Sequence, residues 1–305
     1  MIGRNSDTAG KGGAGYLALI LGLALPIAAM AGATSRGQDD STVDAGLPRE
    51  IGGRSAELLS AFFGLDNGLL GVANLICRGA AGKDGMPVIF STELDHTTLQ
   101  SGDFQVTAQS GQIGTVHCVS FLPATDAGEL RTVLLIGEFG DADNDPPARA
   151  TITGHLHSID GSLDYRGASI EVTPLEAGPT LVFAERFSAQ IEDEGLGLRI
   201  TRGGNCPADG VIQAVRVVWA GGVTLPNGDE PGEVERDLYQ VTVRSRNGGL
   251  RAVTPVALAD LGDGDNNHLL CLGARDVPVS VSLPAGILVD PNGDLNPATQ
   301  VQVAP

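Results

Sequence analysis

Short runs in which apolar and polar residues alternate, broken by Gly, Pro, Asn and Asp, fill the chain beyond about residue 66. In "DFQVTAQ" Phe104 and Val106 fall on one side, and in "DLYQVTVRS" Tyr239, Val241 and Val243 do the same. Successive strand residues point to opposite faces, so this period of two predicts an all-β chain. Upstream the pattern changes. Residues 34–65 read as a flexible tether, polar and Gly-rich at first and closing on a short helix in "AELLSAFFG". Before the tether, "YLALILGLALPIAAMAGA" (16–33) is an apolar run of 18 residues preceded by Arg4 and Lys11. Its length would just span a bilayer as an uncleaved anchor. Pro26 and the small residues of "AMA" and "AGA" favour a cleaved signal peptide over residues 1–33. No later run approaches spanning length, so export without a further membrane span is expected.

The alternating segments occur twice. "DFQVT" (103–107) matches "LYQVT" (238–242), and each follows a strand ending in an aromatic, Phe90 or Trp219. Cys77 lies 13 residues before Phe90, and Cys206 lies 13 before Trp219. The hairpin turn "PATDAGELRTVLL" of the first copy has "GDGDNNHLLC" as its counterpart in the second. These correspondences predict two copies of one module, 66–174 and 175–305.

Export gives the four cysteines a purpose, because an oxidising compartment permits disulfides. Four cysteines allow three pairings, and spacing does not choose among them. The repeat suggests one bridge in each module, Cys77–Cys118 and Cys206–Cys271. No C-x-x-C pair is present to support a zinc knuckle or a thioredoxin-like site.

Several stretches carry a family resemblance. "PVIFSTELDHTTLQSGDFQVTAQSG" (87–111) resembles the bacterial immunoglobulin-like domains of surface and S-layer-type proteins, which run from a Phe-Ser strand end through an acidic step to an "F-x-V" strand. "CPADGVIQAVRVVW" (206–219) is similar to that family's approach to its second strand. "VDPNGDLNPATQVQV" (289–303) and "SIDGSLDYRGASIEV" (158–172) are similar to its final turn and strand. The second copy departs from the pattern, reading "WAGGVTLPNGDEPGEVERDLYQV" where the first has the acidic step. The resemblance implies two tandem Ig-like β-sandwiches and no particular chemistry, since such folds host many functions.

Charge narrows the partners. Asp and Glu number 37 against 19 Lys and Arg, a net charge of −18. Nucleic acid and anionic membrane surfaces demand basic patches and are not expected. Aromatic residues make up only 4 % of the chain, too few for a stacking platform for sugars or bases. A protein or polysaccharide of the cell envelope is the partner class left open.

Two acidic loops each offer three oxygen ligands at alternate positions: Asp141, Asp143 and Asp145, and Asp263, Asp265 and Asn267. Such spacing suits calcium. Neither loop continues into the Gly and Glu of an EF-hand, and Asp and Asn also favour turns through local backbone hydrogen bonds. Turns are the first reading and calcium the second, with no other cofactor expected. His155 and His157 of "HLH" would face one metal ion from a strand, but the sister copy has Ile287 and Val289 there and no third ligand is evident. "PNGDEPGE" (226–233) and "DPNGD" (290–294) are turn signals through their Asn-Gly steps. Nucleophile elbows, zinc-protease helices and phosphate loops are missing. The expected function is therefore exported, non-catalytic binding or structural work in the periplasm, at the cell surface or outside the cell. The alternative is a calcium-dependent or carboxylate-based hydrolase acting on extracellular polymer.

Overall fold

Alternation becomes strands wherever one face meets a core. Strand β3 (Phe104–Ala108) buries Phe104, Val106 and Ala108 and leaves Gln105 and Thr107 half-buried. Strand β10 (Gln240–Arg244) buries Val241 and Val243 and turns Gln240 and Arg244 to solvent. The molecule is all-β. A computed structural model describes residues 55–190, 195–196 and 204–304, which belong to one compact unit spanning Ala45–Pro305. The signal-peptide reading of 1–33 and most of the tether lie outside the described residues.

In the first half, β1 (Leu58–Ala61), β2 (Asp84–Phe90), β4 (Thr115–Ser120) and β5 (Thr132–Glu138) form an antiparallel sheet in the order β1-β2-β5-β4. A second sheet joins β3 to β6 (Pro147–Ile152) and β7 (Ser169–Glu171). The two layers enclose Phe63, Met86, Phe90, Phe104, Leu135 and Tyr165. A parallel bridge between Phe62 and Thr173 links them at one edge.

The second half follows the same path. Its strands are β8 (Leu181–Phe187), β9 (Gln213–Trp219), β10, β11 (Leu250–Val253), β12 (Ala257–Ala259), β13 (Asn267–Leu272), β14 (Val277–Leu283) and β15 (Thr299–Ala304). They form a continuous sheet in the order β12-β13-β9-β8-β15-β14-β10-β11, curled around Trp219, Tyr239, Val241, Leu270 and Leu288. The β8–β15 contact is parallel, as the Phe62–Thr173 bridge is in the first half. Strand for strand, β4-β5-β2-β1 corresponds to β12-β13-β9-β8, and β7-β6-β3 to β15-β14-β10.

One expectation is corrected. "AELLSAFFG" is not a helix at the end of a tether. Leu58–Ala61 pairs antiparallel with β2, Leu58 opposite Phe90 and Ala61 opposite Val88. Ala61, Phe62 and Phe63 are fully buried. Apolar residues on both sides of so short a segment fit a strand held between layers better than an amphipathic helix, which needs a polar face.

Both cysteine pairs are bridged, Cys77–Cys118 and Cys206–Cys271. The first ties the segment before β2 to β4. The second ties the equivalent segment before β9 to β13, the strand next to β4's counterpart. Two disulfides and no free cysteine suit an oxidising environment, periplasmic or extracellular. Among the described residues no helix is long and apolar enough to cross a membrane.

Strands β9 and β13 are buried almost throughout, on both faces. One face looks into the second core. The other is covered by Cys206, Phe187 and Ala127, and Ala127 belongs to the β4–β5 loop of the first half. That covering sets up the site.

Candidate functional site

Arg216 sits at the centre of β9 with apolar neighbours in "AVRVVW" and is fully buried. A guanidinium loses its hydration there and must find acceptors. Its Nη1 donates to the Ala127 carbonyl. Its Nη2 lies 3.3 Å from Asp260 Oδ2 and 3.9 Å from Glu129 Oε1. The guanidinium stacks 3.8 Å from the Phe187 ring. Gly128 explains how the loop comes so close: its φ is +89°, and a Cβ there would stand 2.0 Å from Arg216 Nη1.

Around Arg216 the two corresponding hairpin loops meet. The β4–β5 loop brings Asp126 and Glu129, and the β12–β13 loop brings Asp260, Asp263 and Asp265. All are buried except Asp263, which is half-buried. Carboxylate oxygens of Asp126, Asp260 and Asp263 lie within 4.8 Å of one another. Glu129 Oε2 accepts from the Asp126 amide at 2.8 Å. Asp260 holds a left-handed backbone, φ 61°, tied by its amide to the Gly204 carbonyl. Such a conformation is uncommon outside glycine, though Asp tolerates it better than most residues.

The charges in this group conflict. Burial, reinforced by Asp265 and Asp260, pushes the Glu129 carboxyl well above its ordinary range. Burial raises Asp265 to about 7, with Asp260 adding to the effect, and raises Asp263 to about 9, with Asp265 and Asp260 adding to it. Arg216 pairs with Glu129 and Asp260 of this group. Oxygens Glu129 Oε1, Asp260 Oδ1 and Asp263 Oδ2 are buried with no hydrogen-bond partner among the described residues.

A second ionic contact joins the halves nearby. Arg131, just before β5, donates to Glu185 of β8 at 2.9 Å and to the Ser91 carbonyl at 3.1 Å, and it stacks 4.1 Å from the Phe183 ring. Asn266 Nδ2 donates to the Trp219 carbonyl at 2.7 Å and to Thr132 Oγ1 at 3.2 Å. Beside Asp265 and Asn266 the seam holds a mainly apolar cavity of about 170 Å³, lined by Phe62, Pro87, Phe121 and Leu134 among others.

The two sequence-predicted loops therefore differ. In the first, Asp141 Oδ1 accepts from the amides of Asp143 and Asn144, and hydrogen bonds with Asn144 hold its carboxyl below the ordinary range. Asp145 accepts from the amide and hydroxyl of Ser110, and Asp143 is exposed. These carboxylates serve a turn. In the second loop Asn267 opens β13, and its amide and side chain clasp the Asp265 carboxylate at 2.7 and 2.8 Å. Asp263 and Asp265 turn toward the seam and meet partners that local spacing did not suggest. Arg216, a charge inside an apolar strand, was the signal for them.

His155 and His157 lie in the connection after β6, their rings stacked at 6.2 Å. Asp164, which sequence did not single out, joins them, with Oδ2 2.8 Å from His155 Nδ1. The trio is largely exposed, and Arg166 Nη1 already lies 3.0 Å from His155 Nε2. No protein-family model matches the chain, and no curated protein matches it.

Proposed function

We propose that the chain is an exported, non-catalytic protein of the cell envelope or extracellular space, two Ig-like modules whose surfaces bind a protein or polysaccharide partner or serve a structural role. The carrying observation is a disulfide in each repeated half of an all-β molecule, which suits the secretory fate that the signal-like run (16–33) suggests. Sheet edges supply contact surface. Strand β4 ends its sheet, as do β11 and β12, and unpaired backbone at such edges accepts an added strand. The carboxylates that converge lie mostly buried beside an arginine rather than in an open cleft, which favours binding over hydrolysis.

Expression of the full chain in a bacterial host, followed by fractionation and intact mass, tests this. The expected product is a chain shortened to a start just after Ala31 or Ala33, found outside the cytoplasm with four oxidised cysteines. An unprocessed cytoplasmic chain with free thiols would refute the reading.

A further inference from the structure

We infer that the seam between the two halves is a calcium site, in which Asp126 and Glu129 from one hairpin loop and Asp260, Asp263 and Asp265 from its counterpart hold one Ca²⁺. Two observations lead there independently of the export reading. Oxygens from Asp126, Asp260 and Asp263 stand within 4.8 Å of one another, the spread of ligands around an ion with calcium–oxygen bonds of about 2.4 Å. Glu129 and Asp260 are fully buried or nearly so, yet each keeps an oxygen with no hydrogen-bond partner among the described residues.

A hard divalent ion answers both, since it draws crowded carboxylate oxygens around itself and gives the orphaned oxygens a partner. Oxygen-only ligands argue against zinc and copper, which prefer nitrogen and sulfur. Asp263, half-buried between exposed Gly262 and Gly264, marks the approach from solvent. Because ligands come from both repeats, the ion would act as a clasp between them.

The test uses the full chain, freed of metal with EDTA and desalted at pH 7.5, and CaCl₂ as the probe. Calorimetric titration should show one Ca²⁺ per chain, and 1 mM CaCl₂ should raise the melting temperature by about 5–10 °C if Kd is about 10 μM. Both effects should vanish in Asp260→Asn and Asp263→Asn and persist in Asp143→Asn. Metal-free Asp263→Asn should melt no lower than wild type, since one carboxylate fewer crowds the group, which shows that the variant folds. Absence of stoichiometric binding would overturn the inference. So would a shift retained in folded Asp263→Asn, or an equal shift with Mg²⁺.

Discussion

Arg216 shows how one residue commits two distant segments to each other. Replacing it with Met keeps much of the volume but leaves Glu129 and Asp260 buried without their cation. Loss of one partner of a buried pair costs about 3–5 kcal/mol, and chemical denaturation of Arg216→Met should show a loss of that order. Gly128→Ala should also destabilise, by more than about 1 kcal/mol, because φ is +89° and the added methyl group meets Arg216 and Phe187. A second residue-scale expectation concerns pH. His268 is buried beside the Tyr239 hydroxyl at 2.9 Å, and burial lowers its pKa to about 4. Between that value and the ordinary 6.5 the unfolded chain binds the extra proton, so stability falls as pH drops through this window. The full difference is about 3 kcal/mol. Asp290, raised by burial to about 6, acts in the opposite direction, so the difference between wild type and His268→Gln isolates the histidine. Denaturant midpoints at pH 7 and pH 4 should fall further for wild type than for the variant.

At the scale of elements, strands and bridges carry most of the fold. Phe63, fully buried next to β1, anchors a segment that sequence assigned to the tether. Phe63→Ala should cost about 3–5 kcal/mol, whereas a tether residue would cost nothing measurable in the same unfolding curve. The bridges close 41- and 65-residue separations, so each contributes about 4 kcal/mol on the chain-entropy view. Replacing either pair by Ser should lower the unfolding midpoint, and replacing both should lower it further. Much of this scale was legible. Alternation marked β3 and β10, and the repeat suggested the pairing observed. The first strand was not legible, because Leu58, Ala61, Phe62 and Phe63 pack into a layered interior whose other walls come from β2 and from Thr173, residues far along the chain. The site was half legible for the same reason. Asp263 and Asp265 stood out by spacing, and their loop was matched with the one carrying Asp126 and Glu129. That the matched loops touch depends on how the halves pack, and no local pattern encodes that.

At the scale of the whole molecule, the two halves do more than follow one another along the chain. The corresponding β4–β5 and β12–β13 loops meet each other, so each repeat supplies half of one buried polar seam. Arg131–Glu185, Arg216–Glu129 and Asn266–Thr132 all cross it. Polar groups buried in this way are costly unless the partner surface stays in place. Opening the seam would strand them and expose the apolar cavity beside Asp265. The halves should therefore unfold together rather than as independent beads, giving any partner that binds them a fixed arrangement to recognise. Differential scanning calorimetry of the full chain with disulfides intact tests this most directly. A single transition is predicted, with calorimetric and van't Hoff enthalpies in a ratio of about 1. Two resolved transitions, one for each half, would contradict it.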